Sequence, residues 1–432
     1  MRILIAPSGF KESLEPQQAA DCIEEGILRV LPEAGISKAP LVDGGEGFTR
    51  ALVAATGGEI VELTVTGPVG EPVESHYGFL GSDSPDEPKT AVLEMAAFAG
   101  LRLVPKDVRD PRVTTTYGVG EVIKAALDAG AERTLLGCGD SGTSEGGAGM
   151  VQALGGRLLD EDGEKLPEAS GGGELARLAG INLSGLDERL SSVEIDVACN
   201  WHNLLCVENG VARVFGPQKG ATLEQVEELA AALENYANVV ECDLGYSVHE
   251  SPGSGASGGL GAGLVVIGAT LHSRYEIVME YLEIDEMLDE ADLVFTAEGG
   301  IDFQTPRGKI PAEVARRAKE RGLPVIALAG TVGKDAKVNY QAGIDAYASM
   351  IQSPTTLEEA LENAEVLLIE VADDGVGARQ SLIDQAFERD LEDEYSGISL
   401  VRAIIEQHGG EFSVESEPGE GTYARIEIPV RD

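Results

Sequence analysis

The sequence predicts an α/β protein built on a mainly parallel sheet, with a second α/β domain inserted in its middle and a small α+β appendage at its C-terminal end. Three observations predict this. Short β-rich runs alternate with helical patterns at both ends of the first 365 residues. The segment 59–80 alternates on both sides of a GPVGEP turn, which reads as an antiparallel pair outside that sheet. Beyond about residue 366 the texture changes to an acid-dense stretch ending in two short β-rich runs around a Pro-Gly turn.

In order, residues 2–7 (RILIAP) predict the first strand, and a turn leads into a helix near 16–31 that starts at Pro16, where a missing N–H costs nothing. The antiparallel pair opens a second region near residue 60. A helix over 115–130 ends at Gly130, the strand RTLLGC follows, and a glycine-rich loop opens the next helix at GGAGMVQALGG. Amphipathic patterns over 222–241 and about 274–290 predict two long helices. From 292 the opening texture returns with DLVFTAEG, PAEVARRAKERG, PVIALAG, DAYASMI and the helix TLEEALENAEVLL. The domains expected are therefore 1–60 with 285–365, the insertion 61–284, and the appendage 366–432.

Composition limits function. With 75 acidic and 32 basic residues the chain carries a net charge of −43, a field that repels nucleic acid and anionic lipid. Most of that acidity reads as a solvated shell or as adaptation to salt. No apolar run approaches the length of a membrane span, and the N-terminal stretch lacks the pattern of a signal peptide. The five cysteines, Cys22, Cys138, Cys199, Cys206 and Cys242, are odd in number and scattered. They read as reduced thiols of a cytoplasmic protein, with no zinc knuckle among them.

Four clusters can carry chemistry. Ser8 to Ser13 follow the first strand, where Lys11 can meet a phosphate or carboxylate; the alternative is a solvated lysine with Ser13 as a helix N-cap. Asp43, Gly44, Gly45, Glu46 and Gly47 place carboxylates among glycines, suited to Mg2+ or to a general base, or else to a plain acidic turn. The run Gly137 to Gly149 lies between strand and helix, where consecutive N–H groups can cradle phosphate oxygens, though it lacks the GK[ST] of a P-loop. A second glycine loop spans Ser254 to Gly261 before another helix, and for each of these two loops a plain flexible turn is the alternative. The last cluster, Thr296 to Lys309, gathers Glu298, Asp302, Gln304, Arg307 and Lys309 after a strand, able to bind metal, activate a hydroxyl and hold an anion, or else a salt-bridged surface loop. Asn200 to Asn203 and Phe215 to Gly220 add polar groups at strand or loop ends, with His202 read as a structural group.

The ordered series APSGFKESL, DGGEG, TTTYGVGE, GCGDSGTSEGGAGM, VFGPQKGA, SGGLGAGL and TAEGGIDFQTPRGK resembles that of the bacterial type I glycerate kinases over about residues 1–365. The resemblance implies a flavodoxin-like domain with an inserted α/β domain, and ATP- and Mg2+-dependent phosphorylation of D-glycerate, usually at the 2-hydroxyl. It implies catalytic roles for Lys11, Asp43, Asp302 and Lys309, and metal coordination by Asp43, Glu298 and Asp302. Nucleotide is expected on Gly139, Asp140, Ser141, Gly142, Gly146, Gly147, Gly258 and Gly259, and substrate on Ser13, Asn200, Lys219, Gln304 and Arg307. Several motifs depart from the family pattern: Ser8 and Gly9 stand where Asp and Ser are frequent, and Asn200 to Leu204 replace a DVDNPL-like run.

The appendage is similar to something else. DDGVGA at 373–378 resembles the first glycine box of histidine-kinase ATPase domains, and 396–430 resembles their last helix and strands. Asn363 is too close to that box to serve as its asparagine helix, and Ser396, Gly397, Ile398 and Ser399 reduce the second box. The appendage thus reads as a truncated ATPase fragment replacing the kinase's last helix. The partners expected are D-glycerate and ATP, without nucleic acid or membrane, and a homodimer is left open. The alternatives are a silent sensor of glycerate or nucleotide, and a signalling adaptor that uses the ATPase-like tail.

Overall fold

The computed structural model describes residues 1–10, 13–82, 84, 87–351 and 353–373, together with two strands, 411–417 and 421–427. Strands run in chain order β1 (Arg2–Ile5), β2 (Gly35–Lys38), β3 (Glu59–Thr66), β4 (Pro72–Phe79), β5 (Thr90–Glu94), β6 (Arg133–Gly137), β7 (Arg157–Leu159) and β8 (Gly180–Asn182). They continue as β9 (Glu194–Cys199), β10 (Thr270–Ser273), β11 (Leu293–Ile301), β12 (Val325–Val332), β13 (Ala346–Ser349), β14 (Glu411–Glu417) and β15 (Gly421–Glu427). The chain divides into two compact units, one of Met1–Leu41 with Met279–Asp432, the other of Val42–Val278.

In the first unit a five-stranded sheet has the order β13-β12-β11-β1-β2, with every neighbouring pair parallel. Counted within the unit, this is the flavodoxin-like order 2-1-3-4-5, whose switch point lies between β1 and β11. Its buried strands read as near-continuous apolar runs because both faces are covered. Ile3, Ile5, Ile23, Phe295 and Leu328 share one core. Helix Pro16–Val30 buries Ala19, Ala20, Ile23 and Ile27 on one stripe. Its start is fixed by Gln18 Oε1, which accepts the Glu15 N–H at 3.0 Å, so Ser13 is not the cap. Ser13 Oγ instead donates to the Phe10 carbonyl.

Against that helix lies helix Ala364–Asp373. The two approach at Gly26, where a Cβ would come within 2.5 Å of the Ile369 carbonyl and 2.6 Å of Ala372 Cβ. Residue 366, expected as a domain boundary, lies inside this helix, and Arg29 pairs with Asp373 at its end. The β14–β15 pair is antiparallel, with Val414 opposite Ala424. The turn at 418–420 and most of the ATPase-like segment, including Ser396 to Ser399, lie outside the described residues.

The second unit holds a six-stranded sheet, β10-β9-β6-β5-β4-β3, in which β10, β9, β6 and β5 are parallel and β4 and β3 join antiparallel. The region 42–60, assigned by sequence to the first domain, falls in this unit. Its helix Phe48–Thr56 buries Phe48, Leu52 and Val53 and packs on β3, β4 and β5. Helix Leu223–Leu244 starts at a capping box between Thr222 and Gln225 and ends at Gly245 in the left-handed region. The amphipathic stretch 274–290 forms two helices, Arg274–Tyr281 and Ile284–Glu290, broken where Glu283 adopts φ +51°. All five cysteines are free. Among the described residues no helix is long and apolar enough to cross a membrane.

Overpacking the contact at Gly26 tests the helix pairing. Gly26→Val is expected to cost about 1–3 kcal/mol in urea unfolding, whereas Gly35→Ala, whose Cβ would meet nothing closer than 3.8 Å, should change stability by much less.

Candidate active site

Parallel strands of an open sheet collect functional loops at their C-terminal ends. In the second unit these ends supply Glu94 from β5, the loop Cys138–Gly147 after β6, Asn200 after β9 and Arg274 after β10. The turn Asp43–Gly47 rests on the same edge. A Cβ on Gly44 would lie 3.2 Å from the Ala198 carbonyl, and one on Gly139 would lie 2.5 Å from Gly45 Cα. Only residues without side chains permit such an approach. Asp140, at φ +50°, accepts the Glu46 N–H at 3.0 Å on Oδ2, which ties the turn to the loop.

The sequence did not single out Glu94, yet it organises this turn. It is 2% exposed and accepts the Gly47 and Thr49 N–H groups at 3.2 and 2.7 Å. The carboxylate thus caps helix Phe48–Thr56 from inside and holds the DGGEG turn at its entry. Burial pushes its carboxyl above the usual range. Asp43 itself accepts the Gly45 N–H, and Arg274 stands 3.6 Å from it. Asn200 Oδ1 accepts the His202 N–H, a turn that leaves Asn200 half-buried and His202 exposed.

Deeper in the glycine loop, Glu145 and Lys219 are 1% and 2% exposed. Glu145 accepts from the Thr116 N–H at 3.1 Å, from the Thr116 hydroxyl, and from the Gly149 N–H at 2.9 Å. Burial raises its pKa to about 7. Lys219 Nζ donates to Ser141 Oγ at 2.8 Å and to the Thr143 carbonyl. Burial lowers its pKa to about 7. The second glycine loop closes over this core, with Ser257, Gly258 and Gly259 at φ 51°, 74° and 90° and the Gly258 carbonyl accepting the Gly146 N–H. Thr143 Oγ1 and Ser144 Oγ are buried with no hydrogen-bond partner among the described residues.

In the first unit the switch point carries the remaining cluster. After β1, Ser8 donates its N–H and its hydroxyl to the Ala297 carbonyl, and Phe10 and Leu14 exchange backbone hydrogen bonds. Lys11, between them, lies outside the described residues. At the end of β11, Glu298 pairs with Lys309 at 3.1 Å, and Lys309 also donates to the Gly300 carbonyl. Asp302 Oδ1 accepts the Gln304 N–H at 2.8 Å, while the Asp302 N–H donates to buried Thr305 Oγ1. Gln304 and Arg307 are exposed, and the Arg307 guanidinium lies 5.6 Å from the Phe303 ring centre.

Of the predicted ligands, Glu298 lies near the end of β11 and Asp302 just after it, while Asp43 belongs to the other unit. Among the described residues no three His, Cys, Asp or Glu side chains gather as a metal site. Mg2+ seldom needs such a cage: one or two carboxylates plus phosphate oxygens and water satisfy it. The hard oxygen donors Glu298 and Asp302 fit that requirement.

Residues 3–378 match the model of the "Glycerate kinase family". The chain belongs to the glycerate kinase family. It is 48% identical over 365 residues to a glycerate kinase of Bacillus subtilis (strain 168), covering 84% of this chain and 94% of that one. It is 46% identical over 365 residues to the glycerate 2-kinase of Escherichia coli (strain K12), with the same 84% and 94% coverage. A crystal structure described as glycerate kinase 2 from Salmonella typhimurium LT2 superposes with a TM-score of 0.76 at 44% identity, covering 90% of this chain and 100% of that one. Residues 342–432 also match the model of "Histidine kinase-, DNA gyrase B-, and HSP90-like ATPase". The two matches overlap over 342–378, on either side of the expected join at 366.

The Glu145 environment sets a pH dependence. With a folded pKa near 7 against an ordinary value of 4.5, the folded state holds a proton that the unfolded chain has lost between those values. Its contribution is therefore complete below 4.5 and disappears as pH rises through 7. Thermal unfolding of wild type and Glu145→Gln from pH 4.5 to 7.5 should show the Tm difference moving steadily in favour of the variant as pH rises.

Proposed function

We propose that this enzyme transfers the γ-phosphoryl group of ATP to the 2-hydroxyl of D-glycerate, giving 2-phosphoglycerate and ADP. The observation that carries the reading is the end of β11 and the loop after it, where Asp302 and the Glu298–Lys309 pair stand at the switch point of a flavodoxin-like sheet. Membership of the glycerate kinase family, and relatives named for glycerate, supply the substrate class.

Phosphoryl transfer asks a protein mainly for positioning and charge compensation. The substrate oxygen forms the new P–O bond in line with the breaking bond to the ADP oxygen, and its proton needs an acceptor. Asp302 suits that role: among the described residues it makes no ion pair, and the Gln304 N–H fixes its carboxylate just past the end of β11. Glu298 would hold Mg2+ with phosphate oxygens and water, neutralising charge on the phosphates and leaving Asp302 to take the proton. Lys309 and Arg307, with Lys11, counter the negative charge of phosphate and substrate carboxylate. N–H groups of the loops Gly139–Gly147 and Ser257–Gly259 receive the nucleotide phosphates, while Ser13, Asn200 and Gln304 bound the substrate side.

Coupled measurement of ADP release, with and without D-glycerate, tests the activity. Glycerate-dependent release with 2-phosphoglycerate found by NMR is expected, whereas a 3-phosphoglycerate product would overturn the regiochemistry and no release would favour a silent sensor. Asp302→Asn should lower kcat by about 10²-fold or more at nearly unchanged KM. Near-wild-type turnover in both Asp302→Asn and Lys11→Ala would remove these role assignments.

A further inference from the structure

Lys219 came out of the sequence as a substrate ligand, but its surroundings give it a different task. The chain delivers it on the single turn Pro217–Lys219, bounded by Gly216 and by Gly220 at φ 99°. A Cβ on Gly216 would lie 2.4 Å from the Ala212 carbonyl and one on Gly220 would lie 2.6 Å from the Arg109 carbonyl, so both glycines allow this turn to sink into the unit. The side chain then runs inward until it is 2% exposed. Both hydrogen bonds of its Nζ end on the first glycine loop, at Ser141 Oγ and the Thr143 carbonyl. On its other side is the second loop, because a Cβ on Gly258 would lie 3.0 Å from Nζ and 1.9 Å from that same Thr143 carbonyl.

We propose that Lys219 is a positioning residue that does not touch substrate: it sets the spacing of loops 139–147 and 254–259 by holding Ser141 and Thr143 on one side while Gly258 closes against it on the other. This rests on the reading that these loops receive nucleotide phosphates. A solvated lysine would steer an anion as a point charge. A buried one instead orders the backbone N–H groups that meet the phosphates, and preorganised donors of this kind lose little on binding. Desolvation makes the buried ammonium costly, which burial already expresses by lowering its pKa. The group therefore earns no obvious stability, and its removal should separate nucleotide affinity from folding.

The test uses the full-length protein and ATP·Mg2+ as probe. In Lys219→Met, calorimetric ATP affinity and kcat/KM for ATP should both fall by about tenfold or more, with KM for glycerate changed by less than about twofold. Its Tm should stay within a few degrees of wild type. Ser141→Ala should move ATP affinity in the same direction, and the double variant should bind ATP no more weakly than Lys219→Met alone. Unchanged ATP affinity overturns the proposal. So does a rise in glycerate KM alone, which would make Lys219 a direct substrate ligand, and so does a joint fall of affinity and Tm, which would make it merely structural. Should Lys219→Met not fold, Ser141→Ala decides by itself, since unaltered ATP binding there also overturns the tie. Because ATP binding is read without turnover, a wild type that binds ATP in a Lys219-dependent way but releases no ADP with glycerate would overturn the substrate reading only.

Discussion

Exclusion of water from the glycine-loop core of Val42–Val278 is the constraint on which the candidate site depends. Burial acts on Glu145 and Lys219 in opposite directions and brings both pKa values to about 7. Neither group can be left unmatched in such a place, since an unpaired buried polar group costs more than a hydrogen bond returns. The backbone N–H groups and hydroxyls of Thr116, Ser141 and Gly149 provide the matching, and the loop must adopt one path to do so. That path requires glycine: Gly146 and Gly147 have φ 70° and 77°, and a Cβ on Gly146 would meet the Tyr236 ring at 2.7 Å. The path of the loop is therefore set by the polar matching beneath it.

Glycine density made the loops legible in sequence, because a run such as GCGDSGTSEGGAGM favours a turn over any regular element. Periodicity made helix Pro16–Val30 and the β3–β4 pair legible in the same way, to within a residue or two. What escaped was tertiary. Strand β5 is a short, wholly buried TAVLE, too brief for its period to be separated from a helix turn. The helix break at Glu283 involves neither glycine nor proline, so nothing marked it. Glu94 looks like any acid until the fold places it under the entry of helix Phe48–Thr56. Lys219 shows the converse, a lysine expected on substrate because burial is invisible in a one-dimensional pattern that offers glycines on both sides.

The C-terminal region shows how packing can cross a boundary that composition draws. Helix Ala364–Asp373 continues the kinase-type unit through residue 366 and seats Leu368 in the core shared with Ile23. The close approach at Gly26 leaves no room for a larger residue on either side. The acid-dense, ATPase-like sequence thus begins, in structural terms, where this helix has already made its contacts. The overlap of the two family matches across 342–378 expresses the same fact, since one stretch satisfies both patterns.

A net charge of −43 makes the binding of two anionic substrates a local problem. Point cations solve little of it. Lys309 is already engaged by Glu298, Arg274 stands by Asp43, and Lys219 is withdrawn from solvent. A lysine or arginine so paired contributes little field at a distance, because its partner cancels it within a Debye length. Backbone N–H groups are different: they carry partial positive charge that no side-chain acid can titrate away, and a glycine loop aims several of them at one point. On the proposed reading, an enzyme with this surface gains most by drawing its phosphate affinity from oriented peptide dipoles, leaving the few cations to fix orientation. That reading asks for a loop core that stays dry and ordered, and the buried Glu145 and Lys219 with their hydrogen bonds to the loop supply such a core.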